Sequence, residues 1–272
     1  MNSEPKQRYF LELAYDGTDY HGWQIQKNVL TIQSILNDKL SLKLKEQVSV
    51  TGAGRTDAGV HASYFVAHFD SMHQFLDEDN HFLKSFNRFL PPGIVIYSVN
   101  KVNNTSHARF DAISRTYHYF LTLKKKVFFN RFSYYWDVQL DLEKMNLAAS
   151  LLKDYKDFTS FSKLHTDVKT NICSIEFAKW ENHDEYLVFI IKADRFLRNM
   201  VRAIVGTLLE IGNNRRSINN FKKTIEQKDR SLAGTSSPAK GLFLTDIEYP
   251  ENIFNSKLPK NKNTEKLFNF ND

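Results

Sequence analysis

Arg55 and Asp57 stand two residues apart in the run Thr51-Gly52-Ala53-Gly54-Arg55-Thr56-Asp57-Ala58-Gly59-Val60-His61. The three glycines allow tight turning and positive φ, so the run reads as a loop that presents a charged pair where a substrate can approach. A lone aspartate near an arginine suits a nucleophile, because a guanidinium favours the charged form of a carboxylate. No second carboxylate lies in the loop, so the paired acid and base of a glycosidase is not indicated. Two nucleotide motifs are excluded. A dinucleotide fingerprint needs glycine at position 57, and the spacing of Gly54 and Gly59 is followed by Val60 and His61, where a phosphate-binding loop needs Lys and Ser or Thr. A structural turn, with Arg55 and Asp57 solvated or paired to each other, fits the same residues.

Three further groups carry usable chemistry. Arg202 lies in the apolar run Met200-Val201-Arg202-Ala203-Ile204-Val205-Gly206 and must either find a partner or reach the surface along its stem. Tyr117 shares a strand face with Arg115 and Tyr119, which places it either in the core or against a base. His107-Ala108-Arg109-Phe110 is a cationic and aromatic cluster that fits a solvated turn and a phosphate contact equally. His61 and His68 have no partner visible in the sequence, and no role is assigned to them.

The elements that must hold these groups follow from periodicity and turn residues. Tyr9–Tyr15 alternates as a strand and ends at Asp16-Gly17, ahead of an aromatic loop, Tyr20-His21-Gly22-Trp23-Gln24. Thr31 caps a helix carrying Ile32, Ile35, Leu36 and Leu40, and the central loop is flanked by alternating stretches at Gln47–Val50 and Ala62–Phe69. Leu83, Phe86 and Leu90 mark a helix that stops before Pro91-Pro92-Gly93, and Ile94–Val99 is extended. Strands are expected at Arg115–Leu123, Ile172–Trp180, Tyr186–Ala193 and Leu242–Tyr249. Helices are expected from Asp141, from Phe196 to Ile211 with Gly212 as its cap, and from Ser217. Two parts with one strand-helix-strand cadence suggest a duplicated architecture: 1–106 with the Asp57 loop, 107–250 with Tyr117 and Arg202, and a loosely held tail over 251–272.

At 272 residues with 42% hydrophobic residues the chain can build such a core. No apolar run is long enough to cross a bilayer and no apolar signal core opens the chain, so a soluble cytoplasmic protein is expected. The single Cys173 falls in an alternating apolar stretch as a buried thiol, and the histidines lack metal-binding spacing, so no metal or other cofactor is expected. Lys and Arg outnumber Asp and Glu by 37 to 31, for a net charge of +6. The excess clusters at Arg195, Arg198 and Arg202 and again from Arg215 to Arg230, the footprint of a polyanionic partner, with Phe and Tyr supplying stacking faces.

Taken in order, these motifs resemble the tRNA pseudouridine synthase A family from about Tyr9 to Tyr249. The most specific match is Gly54-Arg55-Thr56-Asp57-Ala58-Gly59-Val60-His61, with Asp57 in the place of the family's nucleophile. Tyr15-Asp16-Gly17, Gly22-Trp23-Gln24, His107-Ala108-Arg109-Phe110, Arg115-Thr116-Tyr117, Asp157-Phe158-Thr159-Ser160-Phe161 and Met200-Val201-Arg202 match as well. Lys153 departs from a glycine common in relatives, and Lys163–Thr170 is variable; either bears on local RNA contacts rather than on catalysis. The resemblance implies an α+β fold of two α/β domains with mainly antiparallel sheets joined across a central basic cleft. It also implies isomerisation of uridine to pseudouridine at positions 38, 39 and 40 of the tRNA anticodon stem-loop, by a homodimer that grips tRNA with both subunits. In that setting Tyr117 contacts the extruded base and Arg202 pairs with Asp57. Arg55, His107, Arg109 and Arg115 are expected to bind the RNA, Arg55 also filling the space the base leaves.

Overall fold

Strand β1 (Gln7–Tyr15) is central to the first half of the chain, and it buries Tyr9, Leu11, Leu13 and Tyr15 at alternate positions, as its period of two requires. It pairs antiparallel with β3 (His61–Ser71) on one side and with β4 (Ile94–Lys101) on the other. The structure is a computed structural model, described for residues 6–163, 170–183 and 185–254. Helix α1 (Ile32–Leu44) buries Ile32, Leu36, Leu40 and Leu44, one row at four-residue spacing, and starts at Thr31, whose side chain caps it in a reciprocal pairing with Ser34. Helix α2 (Asn80–Phe89) buries Phe82 and Phe86, whose rings stack at 5.7 Å.

The alternating stretch at Gln47–Val50 is not a strand. Pairing of this part of the chain with β3 is confined to β2 (Thr51–Gly52), as Thr51 with His68 and Gly52 with Ala67. Side chains of α1 satisfy the backbone before it instead: Asn37 Oδ1 accepts the Val50 amide at 2.8 Å and Gln33 Nε2 donates to the Val50 carbonyl at 2.7 Å.

In the second half, β5 (Ser114–Thr122) pairs antiparallel with β8 (Tyr186–Ala193), which pairs antiparallel with β7 (Ile175–His183); the short β6 (Tyr134–Tyr135) runs parallel to the end of β5. Helix α3 (Leu142–Ser150) packs on β7 and on α4 (Met200–Gly212), and α5 (Ile218–Glu226) is capped by Ser217. Nearly every side chain of α4 is buried, as an apolar helix requires. The helix starts at Met200 rather than Phe196 because Asn199 takes the left-handed conformation, φ 66°. Gly212 is its last residue and not a left-handed cap; a side chain there would meet Met145 Sδ at 2.4 Å, and Asn214 takes the positive φ instead. Strand β7 begins later than expected, which leaves buried Cys173 ahead of it, with its amide on the Lys156 carbonyl and its thiol pushed up to about 12 by burial.

The contacts divide the chain into two compact units, 1–113 together with 244–272, and 114–243. The expected boundary at 106 and the expected span 107–250 differ from this division for a local reason. The Ala108 amide donates to His68 Nδ1 at 3.1 Å, the Tyr249 hydroxyl donates to the Ala108 carbonyl at 2.5 Å, and the Ile113 amide donates to the Glu248 carbonyl at 2.7 Å. Residues 107–113 and the body of β9 (Leu242–Glu248) are thereby tied to the first unit. Phe254 packs edge-on against Phe10 and Tyr249, so the chain turns back after Pro250. The remainder of the expected tail, 255–272, and loop residues 164–169 lie outside the described residues.

Candidate active site

The Asp57 loop is held from below by the segment that follows β1. Trp23 stacks on Phe65 of β3 at 4.2 Å and leans on Tyr15, and a side chain at Gly52 would run into the Trp23 indole at 2.4 Å. Thr56 is anchored twice: its hydroxyl is hydrogen-bonded to the buried Tyr15 hydroxyl at 2.9 Å and its carbonyl accepts the Trp23 amide at 3.3 Å. The Gly59 amide donates to the Tyr20 carbonyl at 3.2 Å, and the Val60 amide closes a turn on the Asp57 carbonyl at 3.1 Å. The Thr56 and Gly59 bonds tie the loop to Tyr15–Trp23, and with the internal Val60 turn they fix the backbone on both sides of Asp57. A site group on such a support keeps its geometry as a ligand binds.

The glycines serve different ends. Gly59 takes positive φ, 76°, while Gly52 provides clearance for Trp23; around Gly54 a side chain would meet nothing within 4 Å. Across the clamp, Gly22 takes φ 86° and lies so close to the loop that a Cβ would sit 2.3 Å from the Thr56 carbonyl oxygen, and one on Gly17 would sit 2.0 Å from that of Val60. Arg55 is exposed and Asp57 is half-buried.

His61 and His68, left without a role by the sequence, both acquire one. His61 Nδ1 accepts the Gly17 amide at 3.1 Å and lies 3.1 Å from Asp16 Oδ1. Burial works against the charge on Asp16, but the contacts with His61 and Thr18 outweigh it and hold that carboxyl below the usual carboxylate range. His68 accepts the Ala108 amide; burial first, then the Arg8 cation, pushes its imidazole down to about 4. His107 Nδ1 accepts the amides of Arg109 and Phe110, so this cluster is a capped turn whose exposed members are Arg109 and Phe110. Burial also lowers the proton affinity of His107.

In the other unit, Tyr117 is half-buried on β5 opposite Ile191, with its ring edge-on to Phe196 at 5.1 Å. Tyr119, on the same strand face, is the core tyrosine: it is fully buried and its hydroxyl donates to the Pro238 carbonyl at 2.9 Å. Arg115 donates to the Asp194 carbonyl at 2.8 Å. Arg202, in the first turn of α4, donates through Nε to the Ser237 carbonyl at 2.7 Å, while the Ser237 amide returns to the Arg202 carbonyl at 3.0 Å. The loop carrying Ser237 rides on Gly206, where a Cβ would meet the Thr235 carbonyl oxygen at 1.8 Å. Half-buried Arg202 is thus aimed by a fixed Nε.

Arg55, Asp57, His107 and Arg109 therefore belong to one unit, and Arg115, Tyr117 and Arg202 to the other. The basic run from Arg215 splits by function. Arg216 bridges Glu210, Thr224 and the Leu232 carbonyl, Arg230 holds the Ala233–Ser236 turn, and Lys228 pairs with Asp157. Arg215 and Lys223 are exposed and Lys222 is half-buried. The sequence signalled Asp16-Gly17 and Gly22-Trp23-Gln24 only as a turn and an aromatic loop; their role as the clamp under Asp57 is long-range and has no local signal.

A family model described as tRNA pseudouridine synthase matches residues 13–111 and 148–250, which takes in the Asp57 loop, its clamp and Arg202. The chain belongs to the tRNA pseudouridine synthase family. It is 55% identical over 257 residues to a tRNA pseudouridine synthase A of Bacteroides thetaiotaomicron, covering 93% of this chain and 95% of that one. With the tRNA pseudouridine synthase A of Bacteroides fragilis it shares 56% over 249 residues, 91% of this chain and 98% of the relative. With that of a Geobacillus species it shares 40% over 241 residues, 87% and 96% of the two chains. The expected resemblance is thus confirmed at family level, and so is a mixed α/β fold dominated by sheet. Among the described residues of this family member, no group of three His, Cys, Asp or Glu side chains could hold a metal ion, and no helix is long and apolar enough to cross a membrane.

Proposed function

We propose that this pseudouridine synthase acts on uridines of the tRNA anticodon stem-loop, with the Asp57 carboxylate as nucleophile. The observation that carries the assignment is the clamp: in a chain matched to the family over most of its length, the backbone on either side of one carboxylate is pinned to Tyr15–Trp23. Isomerisation breaks the bond between ribose C1′ and uracil N1 and joins C1′ to C5. The C5 proton is released and N1 gains one, so atoms balance without a redox partner or a metal. Asp57 attacks the sugar or the base while the bond is broken. The uridine must leave the stack, which costs a few kcal/mol, and the proposal gives Tyr117 the extruded base and Arg55 the vacated space. Arg202 pairs with Asp57 and keeps it anionic; His107, Arg109 and Arg115 bind the backbone. The reading includes two domains around a basic cleft, a homodimer and a cytoplasmic location, all carried by the family resemblance.

Asp57→Asn keeps the shape and removes the charge. Tritium release from C5-labelled tRNA transcript is expected to fall by about a thousandfold or more, equivalent to ~4 kcal/mol of barrier, while tRNA still binds. Retained turnover would remove Asp57 from the chemistry. Wild-type protein that binds tRNA without releasing tritium would be a binding protein, and free uracil in the products would make it an N-glycosidase.

A further inference from the structure

The structure assigns a second RNA contact to the loop that follows β5, a finger whose tip is Val127-Phe128. These are the most exposed large apolar side chains among the described residues, at 84% and 88%. The finger is not loosely attached. Lys126 is ion-paired with Glu185 and its ammonium lies 5.2 Å over the Phe129 ring. Lys240 donates to Asn130 Oδ1 at 2.8 Å, and the Phe129 carbonyl accepts from both the Phe132 amide and the Ser133 hydroxyl. An anchored base with an apolar tip presents Phe128 at low entropic cost to whatever binds.

Charge selects the occupant. Lys124 and Lys125 are exposed just ahead of the tip, separated from it by the ion-paired Lys126, so cations precede an exposed aromatic ring, a combination that tracks a nucleic-acid backbone while an aromatic face takes a base. A second copy of the chain docked by a two-fold contact at this tip would bring the lysines of both copies together, which opposes it. The occupant is therefore an unpaired base of the tRNA with its adjoining phosphates. Strand β5 runs five residues past Tyr117 before the finger starts, about 17 Å at ~3.3 Å per residue, so the contact holds RNA away from the base that Tyr117 takes. It strengthens ground state and transition state alike and acts on KM rather than kcat. This inference rests on the tRNA reading above.

The test measures binding of unmodified tRNA transcript to the full chain over a range of salt, together with steady-state pseudouridine formation. Phe128→Ala is expected to raise Kd and KM by about tenfold at unchanged kcat and unchanged salt slope, and Phe128→Trp to bind like the wild type. The Lys124→Gln/Lys125→Gln pair is expected to flatten the slope of log K against log salt by about 1 to 2. Wild-type affinity in Phe128→Ala overturns the inference while leaving the Asp57 reading intact. If sedimentation shows that the same variant instead loses self-association, the tip belongs to a second copy. A wild-type chain that neither binds tRNA nor isomerises uridine removes the function and the finger together.

Discussion

Gly22→Ala tests whether the clamp, rather than the loop alone, sets the position of Asp57. The new Cβ has two burdens. Gly22 holds φ 86°, a conformation that costs a residue with a side chain roughly 1–3 kcal/mol. The Cβ would also sit 2.3 Å from the Thr56 carbonyl oxygen and 3.1 Å from the Asp57 carbonyl carbon, both backbone atoms, and such overpacking costs about 1–3 kcal/mol more. Together these give ~2–6 kcal/mol, or a fall in Tm of roughly 5–15 °C for a chain of this size. Relief that pushes Thr56 and Asp57 away from Trp23 displaces the proposed nucleophile, and a displacement near 1 Å at a reacting group costs about a hundredfold in rate. Thermal unfolding and single-turnover pseudouridine formation at saturating tRNA, both below the variant's Tm, separate the two effects. Gly54→Ala is the control, since it meets no atom within 4 Å and needs no positive φ; its stability should stay within about 0.5 kcal/mol of the wild type. A Gly22→Ala protein that melts and turns over like the wild type would refute the clamp, as would a Gly54→Ala protein destabilised to the same degree.

Three further outcomes are expected. His68 has a folded value of about 4 against 6.5 in its ordinary state, so on acidification the unfolded chain takes up a proton that the folded chain refuses. Stability linked to His68 is therefore complete above pH 6.5 and is lost as pH falls toward 4, by at most ~3.4 kcal/mol and by ~1–2 kcal/mol after solvent screening. Urea unfolding at pH 7 and 4.5 should show that much less acid sensitivity in His68→Asn, which retains an acceptor for the Ala108 amide; parallel losses would contradict it. Replacing Arg215, Lys222 and Lys223 with Gln should flatten the salt dependence of tRNA binding by about 0.9 per lost phosphate contact at constant Tm, whereas Arg216→Ala should lose ~1–3 kcal/mol of stability. An unchanged slope would return the three cations to plain solvated surface.

Local signals in the chain were readable, and long-range ones were not. Thr31, Asp141 and Ser217 were legible as helix starts because a capping side chain acts within three residues, and β8 ran over the expected span because its alternation is uninterrupted. Gln47–Val50 alternates like a strand but spends its backbone polar groups on Asn37 and Gln33 of α1, a choice no periodicity records. The same holds for the site. The types and spacing of Arg55 and Asp57 marked the loop, while the partners of Thr56 and His61 came from residues some 40 positions earlier. Arg216 and Lys228 looked like phosphate grips because an internal carboxylate partner is invisible in a list of cations.

The division of the chain also has a temporal consequence. In sequence, residues 114–243 form an uninterrupted stretch between the two segments of the other unit, which resumes at Leu244. During synthesis the inserted stretch can collapse as soon as it clears the ribosome, whereas the piece bearing Asp57 must wait for Leu244 and the residues after it. A nascent protein assembled in that order completes the scaffold around Asp57 only after the inserted unit has formed.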